Sequence, residues 1–292
     1  MINRFRPREY HRPDNLREAI SLLSSLGKKA KVIAGGTDLL VNKPPEVECL
    51  VDIASLDLDY IRKNEDGIHI GAATTLDLIE NSPMRSTGPY AVLSEAASLM
   101  ATPTVRNMAT IGGNICNASP AADLPLALMA LDATVRTVGL NGSRILPIGD
   151  LFEDVNKTKL SEDEVLIEVH IPLNSGSSSA SFMKLRHHQT SVDIAIVNVA
   201  ARLTCSDDVC EAARIALGAV AKTPIYARKA ERLLIGKRLD EKLIQEAAET
   251  AVTGAKPLDD IRASAGYRKR MVGVLVKRAL EVSVRRCGIC QK

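Results

Sequence analysis

The chain has 292 residues, 46% hydrophobic and 25% charged, with 18 Gly, 13 Pro and a net charge of +3. Aliphatic side chains carry the apolar content, since three Phe, five Tyr and no Trp make up all the aromatics. This composition excludes a disordered or collagenous chain, and the small charge excess gives no ground for a nucleic-acid partner.

The N-terminal segment Met1 to Arg12 is basic but lacks a following apolar stretch, which argues against a secretory signal. Asn15 and Glu18 have capping-box spacing, and Leu16, Ala19, Ile20, Leu23 and Leu26 then recur on one helical face up to a stop at Gly27. Strands are expected at 31–34, 50–53 and 68–72, and helices at 76–81 and 90–99. Ala101 to Pro120 has few periodic apolar positions and reads as a long loop. A helix at 121–131 follows, with strands at 134–138 and 165–171. The Gly/Ser-rich stretch 174–181 reads as a break between domains. Beyond it come strands at 182–186 and 194–203, an ambiguous segment at 212–220, and two or three helices, the last over 268–284. Strands and helices mix without regular βαβ spacing, so the fold class is α+β.

No segment reaches the ~18 continuous apolar residues of a membrane span. Six cysteines, at 49, 116, 205, 210, 287 and 290, suit a reducing cytoplasm better than a disulfide scaffold. Cys205 and Cys210 are spaced to face each other across a hairpin at Asp207-Asp208. Cys287-Gly288-Ile289-Cys290 is either a frayed tail or a two-ligand metal or redox motif without a second pair close in sequence. His187 and His188 are adjacent, and on a strand such neighbours would face opposite sides and make poor joint ligands. Between Arg262 and Lys292 nine Lys or Arg stand against Glu281 alone. That run is either a solvated helix face or a docking surface for an acidic partner or a polyanion.

Two diglycine loops carry the chemical signal. The first is Ala34-Gly35-Gly36-Thr37-Asp38, straight after a strand; the second is Thr110-Ile111-Gly112-Gly113-Asn114. Glycine lets successive amides converge on one anion and lets a phosphate approach the backbone. Two such loops can clamp the two phosphates of a dinucleotide, with side-chain hydrogen bonds from Thr37, Thr110 and Asn114. Asp123 lies close behind the second loop, where a carboxylate can accept from a ribose or ribityl hydroxyl. The alternative is that each pair marks a tight turn. Neither loop fits the G-x-G-x-x-G or G-x-x-x-x-G-K-[ST] pattern, which disfavours a Rossmann nicotinamide site and a P-loop. No Ser-His-Asp or Cys-His nucleophile arrangement is present, and no catalytic acid or base stands out.

The stretches VIAGGTDLL at 32–40 and VRNMATIGGNICNASPAADLP at 105–125, with the region from Leu166 to Lys184, resemble the flavin-binding medium subunit of the molybdenum hydroxylases. That family includes xanthine, carbon monoxide and nicotinate dehydrogenases, and the resemblance covers essentially the whole chain. It implies an FAD-binding domain of two α/β subdomains, residues 1–54 and 55–175, then a C-terminal domain, 176–292, with a small antiparallel sheet and helices. By this resemblance Val32, Ile33, Ala34, Gly35, Gly36, Thr37, Asp38 and Leu39 form one pyrophosphate-binding segment, and Thr110, Ile111, Gly112, Gly113 and Asn114 the second. Ala101 lines the flavin pocket, Asp123 binds the sugar portion of FAD, and Leu166, Lys184 and Ile194 lie near the isoalloxazine. Read alone, Lys184 is equally an exposed strand lysine and Leu166 a core residue.

The resemblance further implies electron transfer from 2Fe-2S clusters of a small partner subunit, through FAD, to an acceptor such as NAD(P)+ or a quinone. A molybdopterin-binding large subunit would act on the substrate, in a dimer of heterotrimers or a similar heteromer. Some relatives carry an extra cluster in an insertion; here Asn114 to Asp123 runs on without one and Cys116 stands alone, so no metal is expected in this chain. A stand-alone flavin reductase or oxidase on the same fold, and a non-catalytic assembly subunit, are the alternatives.

Overall fold

A computed structural model describes residues 7–174, 176–188, 193–206 and 208–288. Met1, Asp207, Ile289, Cys290 and Lys292, named above, lie outside these residues, as does the expected domain boundary at residue 175.

The first unit is a parallel three-stranded sheet of β1 (Glu9–His11), β2 (Ala30–Ile33) and β3 (Cys49–Asp52), with β3 central. The helix α1 (Leu16–Leu26) covers it with Ala19, Ile20 and Leu23, which pack on Cys49, Val51 and Ile53. Its start follows the predicted cap with one shift. Asn15 accepts from the Glu18 amide at 3.0 Å, but Glu18 reaches back to the amide of Asp14 at 2.9 Å rather than to that of Asn15. Gly27 ends the helix at φ 53, its amide donating to the Leu23 carbonyl. A short helix α2 (Leu39–Asn42) connects β2 to β3.

The second unit is a five-stranded antiparallel sheet, interleaved in chain order with short helices. It contains β4 (Ile61–Lys63) and β5 (Gly67–Gly71), followed by α3 (Leu76–Glu80), α4 (Ala91–Ser98), α5 (Pro103–Arg106), α6 (Ile111–Cys116) and α7 (Leu124–Ala130). Then come β6 (Thr134–Gly139), β7 (Gly142–Pro147), the small pair β8 (Phe152–Asp154) and β9 (Lys157–Thr158), and β10 (Val165–Pro172). The order is β4-β5-β10-β6-β7, so the last strand inserts at the centre. Alternation along β5 and β10 sends Ile68, Ile70, Val169 and Ile171 into the core and His69 and His170 to the other face.

The segment Ala101 to Pro120 is not the loop its weak periodicity suggests. It holds α5 and α6, and each is started by a threonine: Thr102 accepts from Val105 N and Thr110 from Gly113 N. Caps, rather than an apolar face, define these helices.

The third unit is the antiparallel sheet β11 (Ser177–Leu185), β12 (Val197–Ser206), β13 (Val209–Gly218) and β14 (Ile225–Tyr226), with α8 (Arg228–Leu234), α9 (Glu241–Val252) and α10 (Ala265–Arg286). The ambiguous segment 212–220 is thus mostly strand, and Cys205 pairs with Cys210 across the predicted hairpin. The Gly/Ser-rich stretch also departs from expectation, because Ser177 to Ser181 already belong to β11. Their hydroxyls replace apolar contacts: buried Ser179 and Ser181 donate to the α10 carbonyls of Ser283 and Ala279 at 2.6 and 2.8 Å. One face of this sheet packs under α8, α9 and α10, while Ala180, Phe182, Ala200 and Ala216 of the other face join the core around α4 and α7. Covered on both sides, Val197 to Leu203 are all buried.

The basic run at the C-terminus is not uniformly a solvated face. Arg268 is buried and donates to the Ile196 carbonyl at 2.5 Å and to Asp260 at 2.6 Å, and Arg286 donates to the Ala180 carbonyl and pairs with Glu95, both at 2.6 Å.

Candidate functional site

β2 delivers the first diglycine loop to the side of the second. A Cβ placed on Gly35 would lie 1.7 Å from the Met108 carbonyl oxygen, so no side chain fits there and the two backbones are in contact. Gly36 sits at φ 67, the left-handed region that glycine enters without strain. The amides of Gly35, Gly36, Thr37 and Asp38 donate to no acceptor among the described residues; regular bonding resumes with Leu40 N to Gly36 O at 3.0 Å. Consecutive amides flanking a left-handed residue form a concavity suited to an anion. Val32 and Ala34 pack against the core of the first unit, and Ile33 ends β2. Leu39 opens α2.

The second loop is docked from below. Ile111 N donates to Thr74 O and Gly112 N to Ala72 O, both at 2.9 Å. A Cβ on Gly112 would meet Ala72 O at 2.7 Å, whereas one on Gly113 would meet only the Thr110 hydroxyl, at 3.0 Å. The two glycines therefore differ: Gly112 is needed by the fold, and Gly113 presents an exposed, open backbone. The Thr110 hydroxyl is occupied as a helix cap at 3.1 Å from Gly113 N. Asn114 Oδ1 is buried without a hydrogen-bond partner among the described residues. Four free amides, an open glycine and an orphaned acceptor make a cradle that fits a pyrophosphate and its adjoining hydroxyls.

Beyond the cradle lies a polar centre in an otherwise apolar interior. Lys184, on β11, places Nζ 2.6 Å from Asp123 Oδ2, with both side chains 5% exposed or less. The ammonium also donates to the Leu99 carbonyl at 3.0 Å, and Asn198 Nδ2 donates to Asp123 Oδ1 at 2.6 Å. Burial pushes the Asp123 carboxyl above its ordinary range, against the pull of Lys184 and Asn198. Asp123 stands just before α7 yet makes no cap bond, because its carboxylate turns to these partners.

Leu99 leads into Ala101, a non-glycine residue at φ 44. Such a conformation costs about 1–3 kcal/mol and persists only where neighbours enforce it. Here Arg106, paired with Glu80 at 2.7 Å, donates to the carbonyls of Met100 and Ala101 at 2.9 and 3.1 Å. The 99–101 turn is thus held from one side by Arg106 and from the other by Lys184.

The structure therefore brings Gly35 against Met108 and Ala109, just ahead of the second diglycine loop, and Asp123 together with Lys184. Leu166 is instead 3% exposed within the core of the second unit, and Ile194 is 59% exposed beside Asp193. The sequence reading missed Asn198, Arg106 and the Leu99 carbonyl. Asn198 had a visible signal, as the one amide within the apolar run VNVAARL, but backbone acceptors and the Arg106 contacts leave no trace in a sequence.

The description "FAD binding domain in molybdopterin dehydrogenase" matches residues 3–174, and "CO dehydrogenase flavoprotein C-terminal domain" matches residues 180–282. The chain is 35% identical to the carbon monoxide dehydrogenase medium chain of Hydrogenophaga pseudoflava over 96% of its own length and 98% of that protein. It is also 35% identical to the alpha subunit of the 6-hydroxypseudooxynicotine dehydrogenase complex of Paenarthrobacter nicotinovorans, over 95% of each. The crystal structure of the Hydrogenophaga carbon monoxide dehydrogenase superposes with a TM-score of 0.91 over 97% of this chain and 99% of that one. Two matched domains that together span most of the chain, with full-length relatives above 30% identity, place this protein in the family of FAD-binding subunits of the molybdopterin dehydrogenases.

Proposed function

We propose that this chain is the electron-transferring flavoprotein subunit of a multi-subunit molybdenum hydroxylase. It would take electrons from 2Fe-2S clusters of a small subunit and pass them to an external acceptor such as NAD(P)+ or a quinone. A large subunit with the molybdopterin cofactor would oxidise the substrate, in a cytoplasmic dimer of heterotrimers or a similar heteromer. No described helix is long and apolar enough to cross a membrane. FAD supplies the needed chemistry when bound, since it exchanges electrons singly with clusters and in pairs with nicotinamides or quinones.

The chain's own part is to hold and tune that group. The amides of Gly35 to Asp38 would hold the pyrophosphate, and Gly113, which has no side chain, would let it approach closely, with Asn114 Oδ1 taking a donor that the described residues do not provide. Asp123 would accept from the sugar portion, with Asn198 and Lys184 fixing its orientation. Lys184 would keep a positive charge in a water-poor pocket bounded by Ala101. Leu166 would support that wall from within the core, and Ile194 would add cover from the surface. The subdomain limits near Ala54 and Ser175 belong to the same reading.

The observation that carries the proposal is the run of four amides without a partner among the described residues, which begins at Gly35 where it abuts the Met108 backbone. The test is purification of the complex from its native source. Two further subunits carrying molybdenum and iron are expected, with acceptor reduction requiring all three. A flavoprotein that turns over substrate alone would contradict the reading.

A further inference from the structure

We propose that Asp66, His69 and His170 form a binding site for a divalent late first-row transition ion such as zinc, separate from the flavin cradle. The sequence gives no metal ligand in this chain, since Cys116 stands alone and the C-terminal CxxC has no second pair, and His69 and His170 are far apart along it. The β5–β10 pairing sets them directly opposite each other, with ring centroids 4.7 Å apart. Asp66, in the turn between β4 and β5, reaches up to both.

Three ligand atoms of these residues lie within 4.8 Å of one another. His69 Nε2 is 3.1 and 3.2 Å from the two Asp66 carboxylate oxygens, and His170 Nε2 is 3.7 Å from Asp66 Oδ2 and 3.2 Å from the Asp66 carbonyl. Two donors bound tetrahedrally to zinc at ~2.0–2.1 Å stand ~3.3 Å apart, so the Asp66 separations from His69 and His170 already lie close to what the ion requires. Three protein ligands leave a fourth position for water. Imidazole nitrogen favours zinc and its neighbours over magnesium or calcium.

The surroundings argue for a cation at this point. Both nitrogens of His69 face carboxylates, since Nδ1 is 3.3 Å from Glu168 Oε1. A neutral imidazole has one N–H, so its other lone pair would oppose an anionic oxygen. That conflict is relieved by a second proton or by a metal ion. Glu168 is itself fixed by Arg136 at 2.7 Å and by the Tyr60 hydroxyl at 2.8 Å, which makes Nδ1 the protein-anchored end of the ring. The carboxylate–imidazole–metal order is the arrangement by which outer groups orient a ligating histidine. An ion held here would staple the β4–β5 turn to β10. The inference does not depend on the flavin function.

The test uses the full-length chain without a polyhistidine tag, titrated with zinc against a chromogenic chelator. Thiols elsewhere in the chain can also take zinc, so the readout is a difference between proteins. Wild type should bind one equivalent more than the double variant His69→Gln/His170→Gln, and zinc should raise the Tm of wild type alone. Glu168→Gln should weaken that equivalent by about 10–100-fold. If the double variant fails to fold, His170→Gln alone carries the same comparison. Equal zinc stoichiometry and affinity in wild type and variant would overturn the proposal.

Discussion

Lys184 and Asp123, from different sheet-and-helix units, meet as a buried ion pair at 2.6 Å. The pair joins β11 to the start of α7, and through the Leu99 carbonyl it also fixes the turn that carries Ala101. The buried charge on β11 is therefore also a structural tie between the second unit and the C-terminal sheet.

Breaking this pair on one side should be costly. Asp123→Ala leaves a buried ammonium with one carbonyl partner and is expected to lower stability by about 3–5 kcal/mol. Adding Lys184→Met should recover part of that loss, since no charge is then left unpaired. Urea unfolding of the two single variants and the double variant measures the coupling; additive losses would mean that the pair does not act as a unit.

Gly112 and Gly113 should separate fold from cofactor. Gly112→Ala forces a Cβ to 2.7 Å from the Ala72 carbonyl and is expected to cost about 1–3 kcal/mol. Gly113→Val meets little within the protein but projects branches over the open backbone. It should leave the C-terminal unit folded and abolish FAD binding, read by circular dichroism together with flavin absorbance. Stoichiometric FAD in the Gly113 variant would disprove the placement of the pyrophosphate.

The outer face of the β5–β10 sheet gives a pH signature. Burial works against ionisation of Glu168, yet Tyr60, His69 and Arg136 hold its pKa below the ordinary 4.5. Its contribution to stability is present above 4.5 and is lost as pH falls through the lower folded value. Burial likewise works against protonation of His69, yet Asp66 and Glu168 hold its pKa above 6.5. That contribution is complete below 6.5 and is lost as pH rises through the folded value. Urea midpoints across pH should therefore show a plateau between the two, and Glu168→Gln should flatten both shoulders.

The serines of β11 provide a packing test. Ser181→Ala removes a buried hydroxyl that donates to the Ala279 carbonyl and should cost about 1 kcal/mol, visible as a lower urea midpoint. Ser178→Ala, at a half-buried position bonded to Leu203 O at 3.3 Å, should cost less.

These serines also mark the limit of what the sequence discloses. A Gly/Ser-rich stretch reads as a linker because local composition favours turns, but its ladder partner is β12, and the α10 carbonyls that take its buried hydroxyls lie about a hundred residues away. The same holds for α5 and α6, where threonine caps and docking onto Ala72 and Thr74 stand in for a periodic face. By contrast α1, whose cap, apolar stripe and stop all lie within thirteen residues, was legible nearly to the residue. The glycine loops were legible as motifs, and their contact through Gly35 and Met108 was not. Asp123 and Lys184 could each be named, but their mutual bond depends on a register that the sequence does not state. His69 and His170, opposed across two strands far apart in the chain, left no local pattern at all.

The central claim is that this chain binds FAD through the two glycine loops. Its most direct test is the visible spectrum of the purified full-length chain, with identification of the nucleotide released on denaturation. The account predicts flavin bands and one equivalent of FAD per chain, both lost in Gly113→Val. A colourless protein that cannot be reconstituted with FAD, or one that releases FMN instead, would contradict it.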